Sequence, residues 1–307
     1  NPKLSINKIV IFNILIYFFF MNFNKLIRRK NILITGGAGF VGSQLAKRLY
    51  ENGNTVYVLD NYFTGTKNNH IKGVIYKKGE TKNIFQYYEN TPIDYIYHLG
   101  EYSRVEQSYE DIELVMKYNT YPFYEVIRLA LHHSAKLIYS GSSTKFSHNR
   151  DFFESPYSFS KRINTEMLVN YATWFKLKYA ITYFYNVYGP NEISHGKYAT
   201  VIAKFISLKK NNAKFLPITK PGTQKRRFTH IDDIVNGLIV VGRKGEGDNY
   251  GIGSNKSYTI IEIAKMLNMK YLMKPAKMGN RLNANLITSK TKKLGWTPIK
   301  SLKDYLT

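Results

Sequence analysis

The 307-residue chain contains no cysteine. That excludes a disulfide framework, a thiolate metal site and a cysteine nucleophile, and nothing points to secretion. With no thiols to oxidise the count alone does not fix the compartment; the expected location is cytoplasmic. Acidic residues are scarce: 21 Asp and Glu stand against 45 Lys and Arg, a formal net charge of +24. One reading is a phosphate-rich partner such as nucleic acid or an anionic membrane. The other is codon bias, since Lys, Asn, Ile, Tyr and Phe are the residues an AT-rich genome favours. The lysines are scattered and form no tract, which favours an ordinary solvated surface. We therefore expect no nucleic-acid or membrane partner, although a positive field would help to recruit a diphosphate. Long apolar runs are also missing, apart from IVIFNILIYFFFM at residues 9–21. That run is short for a membrane span. As a signal peptide it lacks a small-residue cleavage site, and its basic cluster lies on the wrong side. We read the first twenty residues as upstream-translated sequence with Met21 as the start, and set 1–21 apart from the fold. The histidines have no metal-ligand spacing, and no metal is expected.

From residue 31 short β-rich runs alternate with helical stretches. NILIT (31–35), TVYVLD (55–60), GVIYK (73–77), DYIYHL (94–99), KLIYS (136–140) and YAITYFYNVYG (179–189) read as strands. SQLAKRLYEN, a long stretch from about Asp111 to His132, and a stretch from Pro156 to about Phe175 read as helices. This alternation predicts an α/β fold, a Rossmann-type doubly wound parallel sheet. After Tyr188, loops rich in Gly, Pro and Asn separate shorter helices. We place a dinucleotide-binding domain over 22–188, with 226–243 returning to it, and a smaller C-terminal α/β substrate domain mainly over 189–307.

ITGGAGFVGS (34–43) sets Gly36, Gly39 and Gly42 directly between a strand and a helix. Glycines there let the backbone approach a pyrophosphate, and the helix N-terminus offers free N–H groups and a positive dipole end. Asp60 ends the next strand, where a carboxylate binds ribose hydroxyls and repels a 2′-phosphate. Asn61, not Arg, follows it, which favours NAD over NADP. SPYSFSK (155–161) puts Tyr157 and Lys161 on one helical face. A tyrosine is too weak a base at neutral pH unless a nearby ammonium favours its phenolate. With Lys161 beside it, Tyr157 could take a proton from a substrate hydroxyl while hydride leaves for the cofactor. Ser142, at the end of strand 136–140, could hydrogen-bond the same hydroxyl. In a chain with 26 tyrosines a lone YxxxK means little, so the glycine turn and the serine cluster carry the reading.

Together TGGAGFVG, LDN, HLGEYSRVEQS, SGSS, SPYSFSK, YNVYGPN, QKRRFTHIDD and TKKLGW resemble, in order over about residues 31–306, the extended short-chain dehydrogenase/reductases. Within these the chain is similar to the nucleotide-sugar epimerase/dehydratase branch, of the UDP-glucose 4-epimerase kind. The resemblance implies an NAD(P) domain, a nucleotide-diphosphate sugar as substrate and a homodimer. It implies Ser142, Tyr157 and Lys161 as the catalytic set, with Tyr157 and Lys161 also touching the cofactor. Phe40 and Val41 would give backbone contacts to the pyrophosphate, Leu99 would line the nicotinamide side, and Asn119 matches a helix asparagine close to the site. Asn186 and Arg226 match residues that hold the substrate diphosphate, and Lys277 falls near a family arginine that clamps phosphate.

Departures from the family pattern narrow the chemistry. Dehydratases of the branch carry Asp-Glu after their Ser/Thr-Thr, whereas Ser143, Thr144 and Lys145 stand here. Some reductase-epimerases use a cysteine, and there is none. What survives needs only Ser, Tyr, Lys and NAD: oxidation of a C4 hydroxyl, rotation of the keto sugar and return of hydride, hence a 4-epimerase serving polysaccharide precursor synthesis. A nucleotide-sugar reductase, dehydrogenase or dehydratase is the alternative within enzymes. An NAD-sensing or nucleic-acid-binding relative is the non-enzymatic one. The segment between Ser142 and Tyr157 is short for the family, Glu80 replaces the aspartate that touches adenine, and Arg227 stands at a usual aspartate. Glu101 and Arg104 are equally read as substrate contacts or as a surface ion pair of little energetic value.

Overall fold

The computed structural model describes residues 29–146, 155–276 and 285–307. Residues 1–28 and Lys277 lie outside these ranges, so the readings of the apolar run and of Lys277 fall outside the described residues. Seven parallel strands form one sheet: β1 Asn31–Thr35, β2 Thr55–Asp60, β3 Ile75–Lys78, β4 Tyr95–His98, β5 Lys136–Ser142, β6 Tyr179–Phe184 and β7 Gly247–Ile252. Their order is β7-β6-β5-β4-β1-β2-β3. It reverses between β1 and β4, and a crevice at such a switch point is where doubly wound folds bind ligands.

Alternation along β1 sorts its side chains onto two faces. Ile32 and Ile34 pack under α1 (Phe40–Glu51) with Leu45 and Leu49. Leu33 packs on the other face with Phe123 and Ile127 of α2 (Tyr121–His132) and Leu168 of α3 (Pro156–Phe175). Covered on both sides, the central strands read as continuous apolar runs.

The sequence suggests one helix from Asp111 to His132, but the structure divides it. A single wide turn, Met116–Thr120, separates Ile112–Val115 from α2. Pro122 has no N–H to give the carbonyl one turn back, so the ladder re-registers there. Helix α3 begins where its sequence predicts: the Ser155 hydroxyl accepts the Ser158 N–H at 3.1 Å and Pro156 opens the first turn.

Beyond β6 the chain forms α4 (Val201–Lys210), α5 (Ile231–Lys244), α6 (Ile260–Met266) and three two-stranded ribbons. Ile202, Phe205, Ile218 and Ile263 share a separate apolar cluster. Helix α5 packs back on the sheet through Ile234 and Leu238. β7 follows it onto the sheet edge, a strand hidden in the glycine-rich KGEGDNYGIG. Two motifs quoted separately from the sequence, THIDD and LGW, meet here: the Trp296 indole N–H donates to the Asp233 carbonyl at 2.8 Å. Among the described residues no helix is long and apolar enough to cross a membrane.

Candidate active site

A cavity of about 550 Å³ opens at the carboxyl ends of β1, β2, β4 and β5. Its floor is the glycine turn. Gly36 has φ +72°, and a Cβ on it would lie 2.7 Å from the Gly100 Cα, so the loops after β1 and β4 touch backbone to backbone. A Cβ on Gly42 would come within 2.2 Å of the Gly36 carbonyl oxygen. The turn therefore presents bare backbone at the N-terminus of α1, a cradle shaped for a diphosphate.

Gly36, Gly39, Phe40, Val41, Gly42, Asp60, Asn61, Leu99, Ser142, Tyr157, Lys161 and Asn186 all line this one cavity. Asp60 is 7% exposed. Its Oδ2 accepts the Ala38 N–H at 2.9 Å and its Oδ1 the Tyr62 N–H at 2.7 Å, which ties the end of β2 to the glycine turn. Burial raises its pKa, and these two N–H groups oppose that. Glu80 also lines the cavity, and Lys82 at 3.0 Å and Lys117 at 3.2 Å surround it.

At the other end, β5 runs through Ser142, two residues further than its apolar stretch suggests. The Ser142 Oγ accepts the Thr144 N–H at 3.3 Å and the Thr144 hydroxyl at 2.9 Å. With both lone pairs engaged, Ser142 has its own proton to donate. Lys145 leaves the cavity: its ammonium pairs with Asp248 and lies 3.1 Å from the Tyr183 hydroxyl, over β6 and β7. Ser143, Thr144 and Lys145, not a carboxylate, directly follow the serine, and the lysine faces the sheet edge.

Lys161 is buried, with its ammonium 6.0 Å from the centre of the Tyr157 ring. It donates to the Ser140 carbonyl at 2.5 Å and to Glu101 Oε2. Glu101 is thus neither an exposed ion pair nor a free substrate contact; its side chain is 1% exposed and paired with Lys161. Burial pushes its pKa up, but Lys161 and His98 outweigh burial and hold it below the ordinary carboxylate value.

Two expected site residues do not line the cavity. Asn119 is fully buried; it accepts the Tyr102 N–H at 2.6 Å and donates to the Tyr102 carbonyl at 3.1 Å and to Ser160 Oγ at 2.9 Å. It clamps the loop after β4 to α3, and the wide turn at 116–120 sets it inward. Arg226 lies on a short ribbon paired with Tyr258 and is not on the cavity wall.

Two wall residues carry more than their sequence positions suggest. Arg104 donates through Nε at 3.0 Å and Nη2 at 2.7 Å to the Tyr198 carbonyl, bridging the loop after β4 to the loop before α4. Glu192 stands near it, and burial raises its pKa to about 7. Its only sequence signal is an acid directly after YGPN.

The residues present fit NAD: bare backbone for its diphosphate and an acidic strand end for its ribose. The chain matches the NAD dependent epimerase/dehydratase family model over residues 32–253. UDP-glucuronic acid decarboxylase 6 of Arabidopsis thaliana is 31% identical over 80% of this chain and 74% of its own length. The UDP-glucose 4-epimerase of Thermotoga maritima, solved with UDP-glucose, superposes with a TM-score of 0.82 at 26% identity, covering 90% of this chain and 96% of that one. A dTDP-glucose 4,6-dehydratase from Streptomyces venezuelae, solved with NAD, shares the fold at a TM-score of 0.81 and 22% identity, covering 89% and 94%. With its parallel sheet, glycine cradle and Ser142, Tyr157 and Lys161 on one cavity, the chain belongs to the NAD-dependent epimerase/dehydratase family, and its cofactor is NAD.

Proposed function

We propose that the chain is a cytoplasmic homodimeric enzyme that epimerises a nucleotide-diphosphate sugar at C4 through a transient 4-keto sugar. The observation that carries this reading is the path of the chain after Ser142. Elimination of water needs an acid and a base beside the sugar. Here Thr144 turns back to Ser142, and Lys145 is held by Asp248 away from the cavity.

Tyr157 removes the C4 hydroxyl proton. Ser142 donates its proton as a hydrogen bond to the same oxygen and holds it as it becomes a carbonyl. Lys161 keeps one ammonium hydrogen beyond those given to Glu101 and Ser140, and orients the sugar and cofactor end of the cavity. When bound, NAD would supply the hydride acceptor, and then the hydride donor, for C4. Tyr157 gives the proton back once the keto sugar has turned its other face. The glycine cradle and Asp60 hold the cofactor, and Asn186 lines the substrate end.

Arg104 supports a second reading, decarboxylation of a sugar carboxylate, the activity named for the Arabidopsis relative. It lines the cavity close enough to Tyr157 to feel its charge, and among the described residues no carboxylate lies within ion-pair distance of it. Oxidation at C4 would make such a sugar a β-keto acid, which loses carbon dioxide readily.

Incubation with UDP-, GDP- and dTDP-hexoses and UDP-glucuronate, followed by NMR of the sugar ring, tests both. A C4 epimer without net NADH supports the first reading. A pentose from the uronate supports the second, and a 4-keto-6-deoxy sugar contradicts both.

A further inference from the structure

Glu101 and Lys161 form a buried charge pair on the cavity wall: their side chains are 1% and 6% exposed. The surroundings fix the state of each member. The Thr35 hydroxyl accepts the Leu99 N–H at 3.1 Å and the Gly100 N–H at 3.0 Å, so its own proton goes to His98 Nδ1, 2.7 Å away. The other ring nitrogen, Nε2, faces Glu101 Oε1 at 3.4 Å. Asn164 donates to the same oxygen at 2.7 Å, and the Tyr139 hydroxyl lies 3.3 Å from Oε2. With Lys161, four donors converge on one carboxylate, which is the environment of an anion.

We propose that Glu101 is a positioning residue for Lys161 and the counter-charge that balances oxidised against reduced cofactor at the reacting end of the cavity. The inference rests on the reading of Lys161 as the partner of Tyr157 given above. With the diphosphate on the glycine turn and a ribose at Asp60, the nicotinamide end falls toward Leu99, Tyr157 and Lys161. The oxidised ring is a cation and the reduced ring is neutral. An uncompensated Lys161 ammonium would repel the oxidised ring and leave the reduced one untouched. Glu101 cancels that repulsion, so the cavity can hold both forms, as an enzyme that takes hydride and gives it back requires. The charged and titratable groups facing the pair are His98 from β4, Tyr139 from β5 and Tyr157 from α3, and the charge of Arg104, from the loop after β4, couples to Tyr157.

The test is fluorescence titration of the full chain, freed of bound nucleotide, with NAD and with NADH. Removing the anion in Glu101→Gln should raise the ratio Kd(NAD)/Kd(NADH) about tenfold. Removing the cation in Lys161→Met should lower that ratio, so either variant that folds decides the matter. The charge-conserving Glu101→Asp should keep the wild-type ratio while kcat falls. In pH–rate profiles the acid limb of Glu101→Gln should move to lower pH. Equal changes in both constants, or none, would overturn the inference, because a purely structural role moves both alike. The ratio is read without any sugar, so it stands apart from the reaction: if Tyr157→Phe turns over normally, the proposed function fails and the ratio is still decided.

Discussion

Thr144 gives both its amide and its hydroxyl hydrogen to Ser142, at 3.3 and 2.9 Å. The contact makes Ser142 a donor toward the cavity and accounts for the hydroxyl-rich SGSST. Ser142→Ala should lower kcat about 100-fold, the usual cost of one donor at a developing oxyanion, with little change in NAD binding. Thr144→Val should cost about tenfold through loss of that orientation. Steady-state kinetics on both variants check the order; a Thr144 variant worse than the Ser142 variant would reverse the roles.

Asp60 serves two ends at once, holding the Ala38 and Tyr62 N–H groups while its carboxylate faces the cavity. Asp60→Asn retains the shape but not the charge. NADH affinity should fall about tenfold and the preference over NADPH should shrink, since the repulsion of a 2′-phosphate is gone. Paired titrations with NADH and NADPH measure this. An unchanged ratio of the two would remove Asp60 from cofactor selection.

Glu192 titrates inside the folded protein at about 7 because it is buried, against an ordinary 4.5. A raised carboxyl pKa means the native state binds the proton more tightly than the unfolded chain does. Stability from this group is therefore greatest below pH 4.5 and falls as pH rises from there through about 7. Glu192→Gln should remove the slope. Urea unfolding at pH 5 and pH 8 should show the wild type losing on the order of 2 kcal/mol more than the variant between the two conditions. Parallel curves would place the charge of Glu192 in water.

Tyr121 and Tyr124 of α2 and Trp174 and Phe175 of α3 are 70%, 43%, 62% and 57% exposed, a run of large apolar rings on two adjacent helices. Such a face suits the two-fold contact of the proposed homodimer. Trp174→Lys with Phe175→Glu should convert a dimer to a monomer in light scattering. A wild-type monomer, or a variant that still dimerises, would point to another surface.

The parallel sheet was legible because its signal is local. A buried apolar strand, a glycine turn and a capped helix are each written in consecutive residues, as in NILITGGAGF and SPYSFSK. The three side chains proposed to react sit on such local elements: Ser142 closes β5, and Tyr157 and Lys161 lie in the first turns of α3. What was not legible depends on distance in sequence. Glu101 finds Lys161 60 positions away, and HLGEYS alone leaves its partner open. Asn119 faces inward because Pro122 widens the turn before α2, an effect a helical pattern does not reveal. β7 is short of apolar residues because it is an edge strand, and its glycines read as loop. One of these glycines, Gly251, sits where a Cβ would come within 1.7 Å of the Ile287 carbonyl oxygen.

The most direct test of the account follows one atom. A nucleotide-diphosphate hexose carrying deuterium at C4 is incubated with the enzyme in ordinary water, and the product is read by NMR. The account predicts that deuterium stays on C4 while the configuration there inverts, because Tyr157 moves only the hydroxyl proton and hydride is returned to the same carbon. Deuterium found at C6, or lost to water with C4 unchanged in configuration, would contradict it.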